Sequence, residues 1–240
     1  MLKNILEENG ITFENNKIKI ASNFKHIKLD IGLSYNAPQT QEWLKNESDL
    51  IVFGFEPNPD SVKSIKSLSN SKKQDYHNDV LENKYINTSA FIIPIALGTN
   101  TSDYVKFYVT GDDQGCSSLF KPIYHPIKEC IDVPVFKLSD FFELLPPVNY
   151  IEYIKIDAQG SDLNIIKSGG SYISEKVVFV TLEPADGTEY SGAEYNIISE
   201  ITTYMNSIGF IKINHPNTSD PTYVNSKFIE ESKTIYIRQL

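Results

Sequence analysis

The chain has 240 residues, 40% of them apolar, and a formal net charge of −9. That length and apolar share suit one large α/β domain with a full core, and they exclude a disordered chain. The acidic balance excludes nucleic acid and an anionic membrane surface as main partners, because both need clustered Lys and Arg. The two cysteines, Cys116 and Cys130, have neither metal nor redox spacing. They are too few for a disulfide scaffold and read as free, buried or half-buried thiols in a reducing compartment. The first ten residues contain no apolar signal region, and no stretch approaches the ~18 apolar residues of a membrane span. The expectation is a cytosolic enzyme.

In chain order, residues 1–23 read as a short helix and an extended segment, an N-terminal extension packed on the core that begins at residue 24. Phe24–Gly32 is the first buried strand. Pro38 suits the first turn of a helix that carries Trp43 and Leu44. Leu50–Glu56 is the second strand, and Asp60-Ser61 can cap a helix with Val62, Ile65 and Leu68 on one face. Residues 69–90 read as a loop or a weak helix. Phe91–Leu97 is a third buried strand stopped by Gly98, and Tyr104–Val109 alternates like a half-exposed strand. Val133–Leu138 is short, and Ser139 caps a helical turn before Pro146-Pro147. Tyr153–Asp157 and Val177–Glu183 are the fourth and fifth core strands, with a helix at Ser161–Lys167 between them. Ile197, Ile198, Ile201, Tyr204, Met205 and Ile208 form the stripe of the clearest helix, ended by Gly209. Phe210–Asn214 and Thr234–Arg238 are expected to close the sheet as a strand pair across a polar loop, 215–232.

Strands alternating with helices imply an α/β fold: a mostly parallel sheet, helices on both faces and an antiparallel hairpin at the end. A closed eight-fold barrel needs more units than the chain supplies. Three strands deliver an acid to their carboxyl ends, where such folds bind ligands: Asp30, Glu56 and Asp157. After Asp30, Gly32 permits a tight turn before a helix whose N-terminus can face a ligand. A dinucleotide site needs G-x-G-x-x-G, and only one glycine is present, so NAD is disfavoured. Glu56, at the second strand end, suits both hydroxyls of a ribose.

Leu29–Asn36, Phe55-Glu-Pro-Asn58, Ile95-Ala-Leu-Gly98, Gly115-Cys-Ser-Ser-Leu119, Val133–Asp140, Ile154-Lys-Ile-Asp-Ala-Gln-Gly160 and Leu182-Glu-Pro184 follow in that order. Together they resemble the FkbM family of S-adenosylmethionine-dependent methyltransferases, from about residue 24 to about 215. The resemblance implies a Rossmann-like class I methyltransferase fold with a seven-stranded sheet in a domain spanning 24–240. It implies that Asp30 and Gly32 border the methionine half of the cofactor, that Glu56 holds the ribose, and that Ala96 lies near the adenine. Ser34, Asn36, Asn58 and Asp157 are counted with the same site. The family's first loop usually reads D-x-G-A-N-x-G. Here Ser34 stands for the Asn and Asn36 for the second Gly, and Asn tolerates the left-handed conformation such a turn needs. Gln159 stands where the family commonly has Glu.

A sugar or alcohol hydroxyl is a poor nucleophile at neutral pH and needs a base, or a metal that lowers its pKa. Asp157 and Glu183 end neighbouring strands, so they can act as a base and its orienting partner, or as ligands for Mg²⁺ or another divalent cation. Asp157 can alternatively cap the helix at 161, and Glu183 can anchor a loop. The polar loop Gly111–Leu119 can cover the acceptor, with Ser117 and Ser118 supplying hydroxyls, or be a plain hairpin end. Gln159 and His125 join these as acceptor-binding candidates, and His125 and His215 are bases by chemistry alone. The expected reaction is methylation of an oxygen on a sugar or glycosylated small molecule, by a monomer or a homo-oligomer. N-methylation of an amino sugar or another amine, a degenerate binding subunit without turnover, and an NAD-dependent enzyme are the alternatives.

Overall fold

The computed structural model describes residues 1–68, 80–215 and 218–239. Strands β3 (His26–Ile31), β4 (Leu50–Phe55), β5 (Ala90–Ile93), β10 (Ile151–Ile156), β11 (Val177–Leu182), β13 (Phe210–Ile213) and β14 (Thr222–Asn225) form one seven-stranded sheet. Its order is β13-β14-β11-β10-β3-β4-β5. All pairings are parallel except those of β14, which runs antiparallel to both β11 and β13. From β3 the chain winds outward through β4 and β5, then returns to lay β10 on the other side of β3. The connections therefore diverge between β3 and β10, at the crevice where open α/β sheets bind ligands.

Alternation along the strands separates two cores. Ile51, Phe53 and Phe55 face the larger one, together with α1 (Leu2–Glu8), α4 (Leu138–Phe142), α5 (Asp162–Ser168), α6 (Ser171–Lys176) and α7 (Ile198–Ser207). Leu50 and Val52 face the smaller one, with α2 (Pro38–Asn46), α3 (Pro59–Leu68) and α8 (Ile229–Gln239). Within the first 23 residues, Leu2, Leu6, Ile11 and Ile18 are buried in the larger core, and a hairpin of β1 (Phe13–Glu14) and β2 (Lys17–Ile18) follows α1.

Several sequence expectations need correction. The strand expected over 91–97 is divided at Pro94: β5 belongs to the main sheet, whereas β6 (Ala96–Leu97) pairs in a three-stranded sheet with β9 (Ile127–Phe136) and β7 (Ser102–Thr110). Proline has no N–H to give a ladder, so the chain leaves one sheet for the other there. The strand expected at Val133 begins at Ile127 and is one arm of a long hairpin with β7. Thr234–Arg238 is helical, within α8, and the partner of β13 is β14, inside the segment read as a loop. Four residues are too few for a periodicity to show, yet all four are buried. Asn225 closes the strand, its side-chain carbonyl accepting from the Lys227 N–H and its amide donating to the carbonyls of Ser174 and Val177. Finally, Ile201 and Met205 carry the stripe of α7, while Ile198 is exposed, and Cys130 is exposed rather than half-buried. Of the segment 69–90, read as a loop or a weak helix, residues 69–79 lie outside the described residues.

Candidate active site

The parallel ladders bring four strand ends level. Ile31 is registered with Phe55 and with Ile156, and Ile156 with Leu182. The next residue of each strand is therefore Gly32, Glu56, Asp157 and Glu183, in one row. Backbone hydrogen bonds continue into that row, from Gly32 N–H to Phe55 O (3.0 Å), Asp157 N–H to Ile31 O (2.9 Å) and Glu183 N–H to Ile156 O (3.1 Å). Gly32 has φ +86°, and a Cβ there would lie 1.8 Å from the Asp157 carbonyl oxygen. Only glycine fits that crossing.

The row borders a cavity of about 390 Å³, within the range of ligand sites. Toward β5 its wall is apolar, with Phe55, Ile95, Ala96, Leu97 and Phe107; toward β11 it is acidic, with Asp157 and Glu183. Gly32, Ser34, Glu56, Ser117 and Gln159 also line it. Glu56 is 6% exposed, and its two oxygens accept from the backbone N–H groups of Ser34 (3.0 Å) and Asn58 (2.9 Å). Burial outweighs those bonds and pushes its carboxyl up to about 8. The turn after β3 survives the lost glycine in an unexpected way. Ser34 (φ +58°) and Ala37 (φ +51°) adopt the left-handed conformation, and Asn36 does not.

Asp30 is placed differently from its strand-end neighbours. It points to the α2 face, accepts from Thr40 Oγ1 (2.6 Å) and lies 3.9 Å from Lys155 Nζ. Lys155 also reaches Asp157 Oδ2 at 3.0 Å. On the cavity side, Gln159 Nε2 donates to Asp157 Oδ1 (2.8 Å) and to Glu183 Oε2 (2.6 Å). Tyr190 Oη is in hydrogen-bond contact with Gln159 Oε1. Burial opposes the charge on Asp157, but Lys155, Glu183 and Gln159 together hold its carboxyl below the usual carboxylate range. Burial, then the contact with Asp157 and its charge, push the Glu183 carboxyl up. The two carboxyls titrate as a pair that holds one proton between them.

Of the remaining sequence candidates, Ser118 supports the wall without lining it, its Oγ donating to the Gln159 carbonyl (2.6 Å). Asn58 sits behind Glu56 and accepts from the Asp60 N–H. Asn36 is buried and its carbonyl accepts from Leu81 N–H (3.0 Å), outside the cavity wall. His125 is paired with Asp112 (3.1 Å) at the surface, away from the cavity, and His215 packs edge-on against Tyr153. Sequence reasoning missed Lys155, Tyr190 and Asp162. Asp162, fully buried, accepts from the N–H groups of Glu183 (3.0 Å) and Ala158 (3.4 Å) and so ties the two acidic strand ends together. A lysine inside an apolar run and an acid in the first turn of a helix have ordinary structural uses, so neither stood out.

Asp157 and Glu183 do not fit a divalent cation. The Gln159 amide nitrogen lies between them and Lys155 holds the far side of Asp157. Among the described residues no group of three or more His, Cys, Asp or Glu could hold a metal ion, and no helix is long and apolar enough to cross a membrane.

Comparison with curated proteins finds no match. Among solved structures, the FkbM methyltransferase of Methylobacillus flagellatus KT is similar at 14% identity and TM-score 0.48, over 90% of this chain and 47% of that one. The chain therefore spans about half the length of that protein. The fibrillarin pre-rRNA processing protein of Methanococcus jannaschii is similar at 10% identity and TM-score 0.40, over 92% of this chain and 72% of that one. An antibiotic-related methyltransferase matches at 10% identity and TM-score 0.34, over 84% and 82%. The model of the methyltransferase FkbM domain matches residues 30–212. That stretch covers more than half of the chain and contains the whole row of strand ends, so the chain belongs to the FkbM methyltransferase domain family.

Proposed function

We propose that the chain transfers a methyl group from S-adenosylmethionine to a hydroxyl oxygen of a sugar or glycosylated small molecule. The observation that carries this reading is the row Gly32, Glu56, Asp157 and Glu183 along one wall of one cavity. The residues fit the cofactor. Glu56 presents a carboxyl group to which ribose hydroxyls can hydrogen-bond, and the slot of Ile95, Ala96, Leu97 and Phe107 suits a flat base. The Ser161 hydroxyl lines the cavity, buried and without a partner among the described residues. Gly32 and Ser34 border the end that takes the amino-acid portion. When bound, the cofactor supplies an electrophilic methyl group on a sulfonium.

The chain's own part is to orient the acceptor oxygen and remove its proton. A hydroxyl becomes strongly acidic as its oxygen forms a bond to carbon, so even a weakly basic carboxylate can take the proton. Asp157 is the base in this reading. Lys155 favours its ionised form, and Gln159 fixes its second oxygen beside Glu183. The acid-lined wall also supports a second reading, in which the acceptor atom is the nitrogen of an amino sugar. The position of the methyl group in the product, by mass spectrometry and NMR, separates the two. A reducing, cytosolic setting and a homo-oligomeric state belong to the same proposal, the former supported by the free thiols of Cys116 and Cys130.

Calorimetry with S-adenosylmethionine tests the cofactor, and transfer of a labelled methyl group to a panel of glycosides tests the reaction. Asp157→Asn is expected to lower kcat by about 100-fold or more while cofactor affinity changes far less. Full turnover in that variant removes Asp157 from the reaction. Absence of binding in the parent chain leaves only a binding-subunit role for some other ligand.

A further inference from the structure

Charge balance at the strand ends carries an inference that rests on the cofactor reading above. The cavity wall contains Glu56, Asp113, Asp157, Glu183 and Glu189, and among the described residues that line it there is no lysine, arginine or histidine. Lys155, the cation that meets Asp157, is divided. Its Nζ lies 3.0 Å from Asp157 and 3.9 Å from Asp30, whose carboxylate is 1% exposed. Two carboxylates thus share one ammonium, and Glu183 is left with the Gln159 amide.

Ser161 gives a second, independent sign. Its hydroxyl lines the same cavity, is buried, and has no hydrogen-bond partner among the described residues. A buried polar atom is normally satisfied, so this one points to a polar ligand. Acids crowded into a partly desolvated wall disfavour one another's charges unless a cation joins them.

We propose that the acid end of the cavity is a selective site for a compact organic cation, a sulfonium or an ammonium, so that the chain holds the charged cofactor in preference to its neutral thioether product. Methyl transfer removes the positive charge from sulfur and passes the acceptor's proton to Asp157, so the wall has lost its negative charge and nothing electrostatic holds the neutral thioether, which favours product release.

Proton movement follows from the same balance. The groups facing Glu183 are Asp157 from β10, Asp162 from α5 and Asp220 before β14, with Lys155 the opposing charge; burial and these acids raise it. Glu56 is raised by burial, with Asp157 and Asp30 adding to it. The Cys116 thiol, which lines the cavity, and the buried Tyr190 hydroxyl against Gln159 are also pushed up, by burial first, and stay neutral. An entering cation lets a carboxyl ionise, so binding releases protons.

Titration calorimetry on the full chain tests the proposal with three probes: S-adenosylmethionine, S-adenosylhomocysteine, and an analogue in which an ammonium-bearing carbon replaces the sulfonium. Two buffers of different ionisation enthalpy at mildly alkaline pH count the protons. Both cations are expected to bind about tenfold or more tighter than the thioether, and only the cations release protons. Glu183→Gln, close in shape, narrows the ratio and reduces the release. Equal affinity for sulfonium and thioether in the unmodified chain overturns the proposal while leaving the cofactor assignment intact. Failure of all three probes to bind overturns both.

Discussion

Strands β3 and β10 carry buried charges at both ends, and the two ends are built differently. At the lower end, His26 meets Glu152 and Lys28 meets Glu47, with the Lys28 ammonium 5.1 Å from the centroid of the Trp43 ring. Lys28 and Glu152 are fully buried, and each acid there faces a base. At the upper end, Asp30 and Asp157 share one ammonium, Lys155, and Glu183 meets the Gln159 amide. A buried acid with a base of its own holds a geometry, and removing either partner strands the other. Excess carboxylates beside a cavity create a demand that only protons or a ligand can meet. The lower end therefore serves the fold, and in the reading proposed above the upper end serves a bound molecule.

The largest effect is expected where charges are matched. Lys28→Met leaves Glu47 buried opposite an apolar side chain and should cost about 3–5 kcal/mol in urea unfolding. Lys28→Met combined with Glu47→Leu should recover most of the loss. A single-variant cost near zero would mean that this pair is not what holds α2 to the sheet, and the contrast between the two ends would fail. The corresponding change at the upper end, Lys155→Met, should cost less under mildly acidic conditions, because Asp30 and Asp157 can both take up protons.

Much of this arrangement can be read from residues alone, and the reason is mechanical. β-Branched runs that stop at an acid mark Asp30, Glu56, Asp157 and Glu183, and a parallel sheet in register must set such ends side by side. What stays hidden depends on which face a side chain takes and on what crosses from another strand. Asp30 reads as a member of the row, but alternation turns it to the α2 side, where Thr40 and Lys155 meet it. Gln159 reads as a missing acid. In space its amide is the donor that lets Asp157 and Glu183 stand together, where a glutamate would add a third carboxylate. Four-residue β14 has no period to detect, and the departure at Pro94 is visible only once β9 supplies a second sheet.

A middle-sized effect concerns pH, and its sign follows from the upper end. Glu56 and Asp162 are both held, by burial first, at about 8, far above ordinary carboxylates. A carboxyl whose folded pKa is raised stabilises the fold below its unfolded pKa, and that contribution is lost as pH climbs toward the folded value. The ligand-free chain should therefore melt lower by ~5 °C or more on going from about pH 5 to about pH 9. S-Adenosylmethionine should reduce the drop, and Glu56→Gln should flatten it. A melting temperature that rises over this range would show that the upper carboxylates are not short of cations and would remove the asymmetry.

The smallest effect tests how finely the upper end is set. Tyr190 lies in the short strand β12 (Tyr190–Ser191), which pairs with β8 (Lys121–Pro122), so its ring comes from outside the main sheet. Its hydroxyl contacts Gln159 Oε1 and also lies 3.2 Å from the Cys116 carbonyl. A donor on Oε1 fixes which face of the amide turns inward, since Nε2 must then point at the two carboxylates. Tyr190→Phe removes that constraint without emptying the space, for about 1 kcal/mol or less in stability. With Oε1 free to turn toward Asp157, the carboxylate pair loses its shared donor in part of the population. Affinity for the sulfonium should then change little, whereas kcat falls several-fold, because the base is disordered and not removed. Equal losses in affinity and turnover would instead assign Tyr190 to closing the cavity wall over the ligand.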